Sequence, residues 1–163
     1  KEDVPNIKMF TDKYPLFYKK DFDLGYYIHL FTDKLWFDKF LNTLVQSNSI
    51  RLIDGTIVNI DPDELPKLIY SDYTNLNIKV IEEYNMDLSL FYEEFEKPET
   101  TINEVPIEKL NILIDKMGII IENSTNEKNY IFDIYLIKEF IVTTKERILK
   151  EIKDYEQNSG VVR

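Results

Sequence analysis

The residues of this chain best suited to metal or acid–base chemistry are His29, its only histidine, and Asp33. They lie four positions apart in a segment with helical patterning. On an α-helix this spacing places both side chains on one face, one turn apart. An imidazole and a carboxylate arranged in this way can share a metal ion or a hydrogen bond. The spacing therefore predicts either a metal site or a polar pair inside the core.

The segment that carries the pair is expected to be a buried helix, because apolar and aromatic residues occupy nearly all of its faces. One stripe continues the line of the pair through Phe22, Tyr26, Trp36 and Phe40, and another runs through Leu24, Ile28, Phe31 and Leu35. A carboxylate withdrawn from water without a partner is costly. We therefore expect His29 and Asp33 to point into the protein, where each other or a metal satisfies them.

A second polar residue with unusual surroundings is Asp72, the one charged member of a stripe formed by Leu65, Ile69, Leu76 and Val80. A carboxylate on the core face of a helix can complete a site between the helices of a bundle. The alternative is that Asp72 lies at the edge of the stripe and reaches water. If it faces inward, it is predicted to approach His29 and Asp33 across a helix–helix interface.

Length and composition fit one folded domain, residues 1–163, with a substantial apolar core. The chain has no cysteine and one histidine, so a metal site would have to use carboxylates. A net charge of −10 argues against nucleic acid as a partner, because phosphates are neutralised by basic residues. The sequence shows neither a signal peptide nor an apolar run of transmembrane length, so a cytoplasmic location is expected.

Caps and apolar periodicity predict an all-α, multi-helix bundle. The expected helices run over about 7–13, 21–45, 61–84, 87–95, 106–118 and 130–155. The sequence Asp54-Gly55 between two short β-branched runs indicates a small hairpin near 51–58, or only a loop. Gly118 is expected to stop a helix, with residues 119–121 extended after it. Residues 97–104 and 123–129 are expected to be polar loops.

The segment Leu24-Gly25-Tyr26-Tyr27-Ile28-His29-Leu30, followed by Asp33, Leu35 and Trp36, resembles bacterial proteins of the zinc-dependent phospholipase C type. The likeness is closer to the small cytoplasmic hydrolase branch of that superfamily. It extends from Pro5 to about Tyr84 and includes Asp72-Tyr73-x-x-Leu76-Asn77. The resemblance implies an all-helical fold, a zinc cluster between helices and hydrolysis of phosphodiester bonds.

The resemblance also implies roles for individual residues. His29 and Asp33 match the family's HxxxD metal ligands, and Asp72 stands near a later ligand pair whose histidine this chain lacks. Tyr26, Tyr27 and Trp36 would wall the pocket. The implied cofactor is zinc or another divalent metal, and the implied substrate is a phospholipid or a small phosphoester. Further ligands in the family come from an upstream segment, so we expect either a longer product or a domain that has lost its metals.

Three hypotheses for function remain open at this point. The first is a metal-dependent hydrolase of phosphoester bonds. The second is a non-enzymatic, inhibitor- or immunity-type helical domain whose acidic surface, including Glu93, Glu94, Glu96 and Glu99, binds a basic protein. The third is a catalytically inactive relative that serves as a helical scaffold.

Overall fold

The computed structural model of this chain describes residues 4–46, 49–94 and 96–159, and most of these residues are helical. The helices are α1 Ile7–Lys13, α2 Asp21–Leu35, the single turn α3 Asn42–Leu44, α4 Leu65–Tyr84, α5 Leu110–Glu122 and α6 Ile134–Ser159. Three short strands, β1 Val45–Gln46, β2 Ser49–Arg51 and β3 Ile57–Asn59, pair antiparallel in that order. The predicted all-α architecture with a small hairpin is therefore confirmed at this level.

The chain divides into two compact units that alternate along the sequence. Unit 1 contains the described residues of Lys1–Asn42, Pro98–Val105 and Glu139–Arg163. Unit 2 contains those of Thr43–Lys97 and Pro106–Lys138. The single domain expected from length and composition stays a prediction.

Unit 1 is built around an aromatic core contributed by α1, α2 and a 3-10 turn at Phe17–Lys19. Phe17 and Tyr27 are fully buried and stack with ring centroids 4.2 Å apart. Tyr155 of α6 meets Phe17 edge-on at 5.3 Å. Offset and edge-on pairs of this kind contribute about 0.5–1.5 kcal/mol each beyond the area they bury. Aromatic packing thus joins the first helices of the chain to its last helix.

A buried carboxylate, Asp23, attaches the loop at residues 98–105 to this core. Asp23 is 1% exposed and accepts hydrogen bonds from the Thr100 hydroxyl and from both the hydroxyl and the backbone N–H of Thr101. The loop in turn places Ile102 in the aromatic core. Burial alone would raise the pKa of Asp23, but the hydrogen bonds from Thr100 and Thr101 outweigh it and lower the pKa. Asp23 therefore serves tertiary structure.

The long helix predicted over 21–45 is present as a continuous helical segment with a local change of winding. α2 passes into a π-helical stretch, Trp36–Leu41, before the turn α3. Trp36 and Phe40 pack together within this stretch, and Trp36 meets Phe140 of α6 edge-on at 5.1 Å. A π-helical insertion shifts the register of the side chains that follow it.

Unit 2 contains the hairpin and the helices α4 and α5. The ladder pairs Ser49 with Asn59 and Arg51 with Ile57, which confirms the predicted hairpin. Gly55 adopts a φ of 84° in the connecting turn, a conformation that favours glycine. α4 ends at Tyr84, as the sequence predicts, with Asn85 in the left-handed conformation as its cap.

Several predicted boundaries were wrong, and the first is the start of α4, which begins at Leu65 and not near residue 61. α5 passes through Gly118 to Glu122, so residues 119–121 are helical and not extended. The segment after Asp87 is a short 3-10 turn, Ser89–Phe91, and its predicted end near Phe95 lies outside the described residues. α6 begins at Ile134 and not at Tyr130. Its first turn is capped by Asp133, which accepts the backbone N–H of Leu136 at 2.7 Å.

The lowered pKa of Asp23 predicts a dependence of stability on acid. A carboxyl whose pKa is lower in the folded state stabilises the fold above its unfolded pKa, near 3.8, and loses that contribution as pH falls through the folded value. We expect Asp23→Asn to lower the free energy of unfolding by about 1–3 kcal/mol at pH 7. The difference from wild type should shrink between pH 5 and pH 2. Urea unfolding across this range measures it, and a difference that grows on acidification would contradict the proposed linkage.

Candidate functional site

The pair identified from the sequence lies on α2, with both side chains on one face. His29 Nε2 lies 3.6 Å from Asp33 Oδ2, beyond the usual range of a hydrogen bond. The shared face is therefore confirmed. The expectation of burial was wrong, because the side chains of His29 and Asp33 are 61% and 38% exposed. The apolar stripes gave the wrong prediction of burial because only part of the α2 surface is covered in unit 1. Tyr27 and Leu35 lie on the covered part.

The three aromatics expected to wall a pocket have different environments. Tyr27 is fully buried in the aromatic core, where no described group hydrogen-bonds its hydroxyl. Burial raises the pKa of the Tyr27 phenol, and the nearby Glu151 adds to the effect. Tyr26 packs against Phe10 with ring centroids 5.9 Å apart, and Trp36 packs in the π-helical stretch. These contacts account for all three rings as packing residues, and a pocket role stays a prediction.

Asp72 is fully buried on α4 in unit 2, which decides between the two placements left open by the sequence. Its carboxylate accepts hydrogen bonds from three consecutive backbone N–H groups, those of Tyr130, Ile131 and Phe132, at 2.6–3.0 Å. Successive N–H groups that converge on one acceptor form an anion-binding concavity. Here the Asp72 carboxylate, and not an external anion, occupies the concavity. Its predicted approach to His29 and Asp33, which belong to unit 1, stays a prediction.

Other polar residues on the same side of α4 extend this attachment to the segment before α6. Asn129 donates its side-chain N–H to the Asp72 carbonyl oxygen at 2.9 Å and accepts from Lys79. Asn75 accepts from the Thr125 hydroxyl and donates to the Lys128 carbonyl. The polar side chains at positions 72, 75 and 79 therefore hold the segment 125–132. The i, i+3 and i+7 spacing of these side chains was visible in the sequence. Their hydrogen-bond partners lie about fifty residues further along the chain.

Within residues 4–46, 49–94 and 96–159, no group of three or more His, Asp or Glu side chains is placed to hold a metal ion. A zinc site uses at least three protein ligands. His29 and Asp33 supply two, and the Asp72 carboxylate is already engaged by backbone N–H groups. Zinc or another divalent cofactor stays a prediction of the resemblance.

Unit 2 contains an acidic groove of about 460 Å³ between α5 and the turn after α4. Glu93, Glu94 and Asp115 contribute its charge, and its other lining residues are Leu90, Phe91, Tyr92, Asn111 and Ile114. None of these lining residues is basic. Of the other acidic residues named from the sequence, Glu96 is exposed, whereas Glu99 belongs to unit 1 and lies 3.5 Å from Lys20.

Beside the acidic groove, α5 exposes five large apolar side chains. We call this the α5 face: Ile112, Leu113, Met117, Ile119 and Ile120, each between 43% and 56% exposed. Isolated exposed apolar residues are ordinary, but a contiguous group of them marks an interaction surface. Leu113, Met117 and Ile120 are neighbours at i+4 and i+3 spacing, and Ile112 and Ile119 form a second line beside them, with the exposed Lys116 between the two lines. Asp115 lies one turn from both Ile112 and Ile119, so the charged groove and the α5 face are continuous.

Comparison with known proteins adds no assignment: the chain has no significant match to a protein-family model, to a curated protein or to a solved structure. In the described part of the chain, every helix is too short or too polar to traverse a lipid bilayer.

The contacts of Asp72 predict that it is a structural residue. Asp72→Asn keeps the size of the side chain but removes its charge and turns an amide N–H group toward the Tyr130 N–H, so we expect a loss of about 1–3 kcal/mol in the free energy of unfolding. Asp154→Asn, an exposed change on α6, is the matched control and should stay within about 0.5 kcal/mol of wild type. Urea unfolding measures both. Unchanged stability of Asp72→Asn together with loss of a bound metal would make Asp72 a ligand instead.

Proposed function

We propose that this chain is a non-enzymatic, acidic protein-binding domain whose binding surface is the α5 face together with the acidic groove. The observation that carries the proposal is their continuity along one helix. A partner with apolar residues beside lysine or arginine residues would complement both parts.

The chemistry of this surface suits association better than catalysis. Apolar area removed from water contributes roughly 25 cal/mol per Å², and the five side chains of the α5 face supply such area without rearrangement of the core. Glu93, Glu94 and Asp115 are surface charges that speed the encounter with a basic partner and select against acidic ones. The net charge of −10 favours the same class of partner at long range.

A basic amphipathic helix is the simplest partner with these properties, and a 14-residue leucine–lysine peptide serves as the probe. We expect saturable binding to the wild-type chain and no binding of a leucine–glutamate peptide of equal length. The triple change Glu93→Lys, Glu94→Lys and Asp115→Lys should weaken binding at least about tenfold, or ~1.4 kcal/mol. Fluorescence anisotropy of labelled peptide measures the affinity.

The matched control is a second triple reversal, Glu139→Lys, Glu146→Lys and Glu156→Lys, which changes the net charge equally at exposed positions of α6. Its affinity should stay close to that of wild type. Ile112→Ser with Ile119→Ser should weaken binding without any change in charge. If both triple variants lose affinity to the same extent, net charge alone attracts the peptide and the proposed surface is wrong.

A second proposal, the metal-dependent phosphoester hydrolase implied by the resemblance, is favoured by one observation. His29 and Asp33 are aligned on one face of α2 and are accessible to an ion. Metal bound there would lower the pKa of a bound water and offset charge on phosphoryl oxygens. At least one further ligand would have to join them.

This second proposal predicts that His29→Ala removes both bound zinc and hydrolysis of bis-p-nitrophenyl phosphate. The free energy of unfolding should change by less than about 0.5 kcal/mol, because the His29 side chain is exposed. Asp12→Ala, which breaks another exposed i,i+4 pair, is the control and should change neither. Elemental analysis and the colorimetric assay give the two readouts. Metal-free wild-type protein with the same background rate as His29→Ala would reject the hydrolase.

A further inference from the structure

Unit 1 contains an apolar cleft of about 310 Å³ between α2 and α6. Ile28 and Thr32 contribute from α2, and Phe140, Ile141, Ile148 and Ile152 are among the α6 residues that line it. Its volume is at the lower end of the range for small-molecule sites. The cleft is separate from the acidic groove, which belongs to unit 2.

The accessible wall of the apolar cleft consists of apolar atoms alone, although two threonines take part in it. The Thr32 hydroxyl donates to the Ile28 carbonyl oxygen at 2.8 Å, so it faces its own helix. The Thr144 hydroxyl is buried, and no described group pairs with it. The cleft therefore offers a ligand dispersion contacts and apolar burial, which suit an aliphatic chain.

A cation lies at the margin of this apolar wall. Lys145 lines the cleft, and because the wall contains no accessible polar atom, it takes part through its methylene stem while its ammonium group stays outside. Its neighbours at i±3 and i±4 are all apolar: Ile141, Val142, Ile148 and Leu149. Lys8 and Lys34, by contrast, each pair with an aspartate at i+4. The ion pairs formed between described residues do not include Lys145.

We propose that the apolar cleft binds an aliphatic carboxylate, with the hydrocarbon chain between α2 and α6 and the carboxylate at Lys145. The all-apolar wall favours the hydrocarbon chain of the ligand. The unpaired ammonium group of Lys145 favours an anionic head group over a neutral or cationic one. This site goes beyond the proposed protein-binding function and does not depend on it.

Trp36, the only tryptophan in the chain, provides the readout, because it contacts Phe140 and Phe140 lines the cleft. The probes are sodium decanoate, 1-decanol and decyltrimethylammonium, each below its aggregation concentration. We expect saturable changes in Trp36 fluorescence, with decanoate bound about fivefold more tightly than decanol, the size expected for one exposed ion pair. Decyltrimethylammonium should bind most weakly. Calorimetry checks the stoichiometry of one.

Two variants separate the parts of the site. Lys145→Gln should reduce the affinity for decanoate to that for decanol and leave decanol binding unchanged. Ile28→Phe, at a partly exposed position of the wall, should fill the cleft and so weaken the binding of both decanoate and decanol about tenfold. Lys150→Gln on the exposed side of α6 is the control and should match wild type. Equal affinity of the wild type for decanoate and decanol, a preference for decanoate that survives Lys145→Gln, or no saturable signal would overturn the proposal.

Discussion

The fold of unit 2 depends on one buried carboxylate. Asp72 accepts the backbone N–H groups of Tyr130, Ile131 and Phe132, and without it the buried donors of Ile131 and Phe132 would be left unpaired. The interaction fixes α4 against the segment that precedes α6, which begins at Ile134. Asp23 has the corresponding role in unit 1, where it holds the loop that contains Thr100 and Thr101. Each unit thus uses an aspartate to fix a long-range connection that lacks regular backbone pairing.

These two aspartates also bear on the chemistry expected of the chain. In an acidic protein with one histidine, a buried carboxylate suggests a metal ligand, yet both buried aspartates are engaged by N–H and hydroxyl donors. The acidic groups that remain accessible are distributed over the surface, where they suit recognition of a basic partner. The α5 face and the acidic groove combine such charges with exposed apolar area, and the apolar cleft of unit 1 adds a site of different chemistry.

The elements with strong local signals were predictable from the sequence. α1 follows from Asn6, whose side chain accepts the Met9 N–H at its start, and α4 ends where Asn85 can adopt a left-handed conformation. The hairpin follows from Asp54-Gly55, because glycine allows the φ of the turn. Gly118 gave a false stop, since a glycine inside a helix costs only about 1 kcal/mol and Phe91 packs beside it.

By itself, the sequence determined the helical class, the hairpin, the alignment of His29 with Asp33 and the acidic, cysteine-free character of the chain, because caps, turns, spacing and charge are local properties. Only the tertiary structure decided that His29 is exposed, that Asp72 binds three backbone N–H groups and that α5 leaves its apolar residues uncovered. The physical reason is that burial depends on which surfaces meet. Helical periodicity shows which residues share a face but not whether another element covers it, and the partners of Asp72 lie 58–60 residues away along the chain.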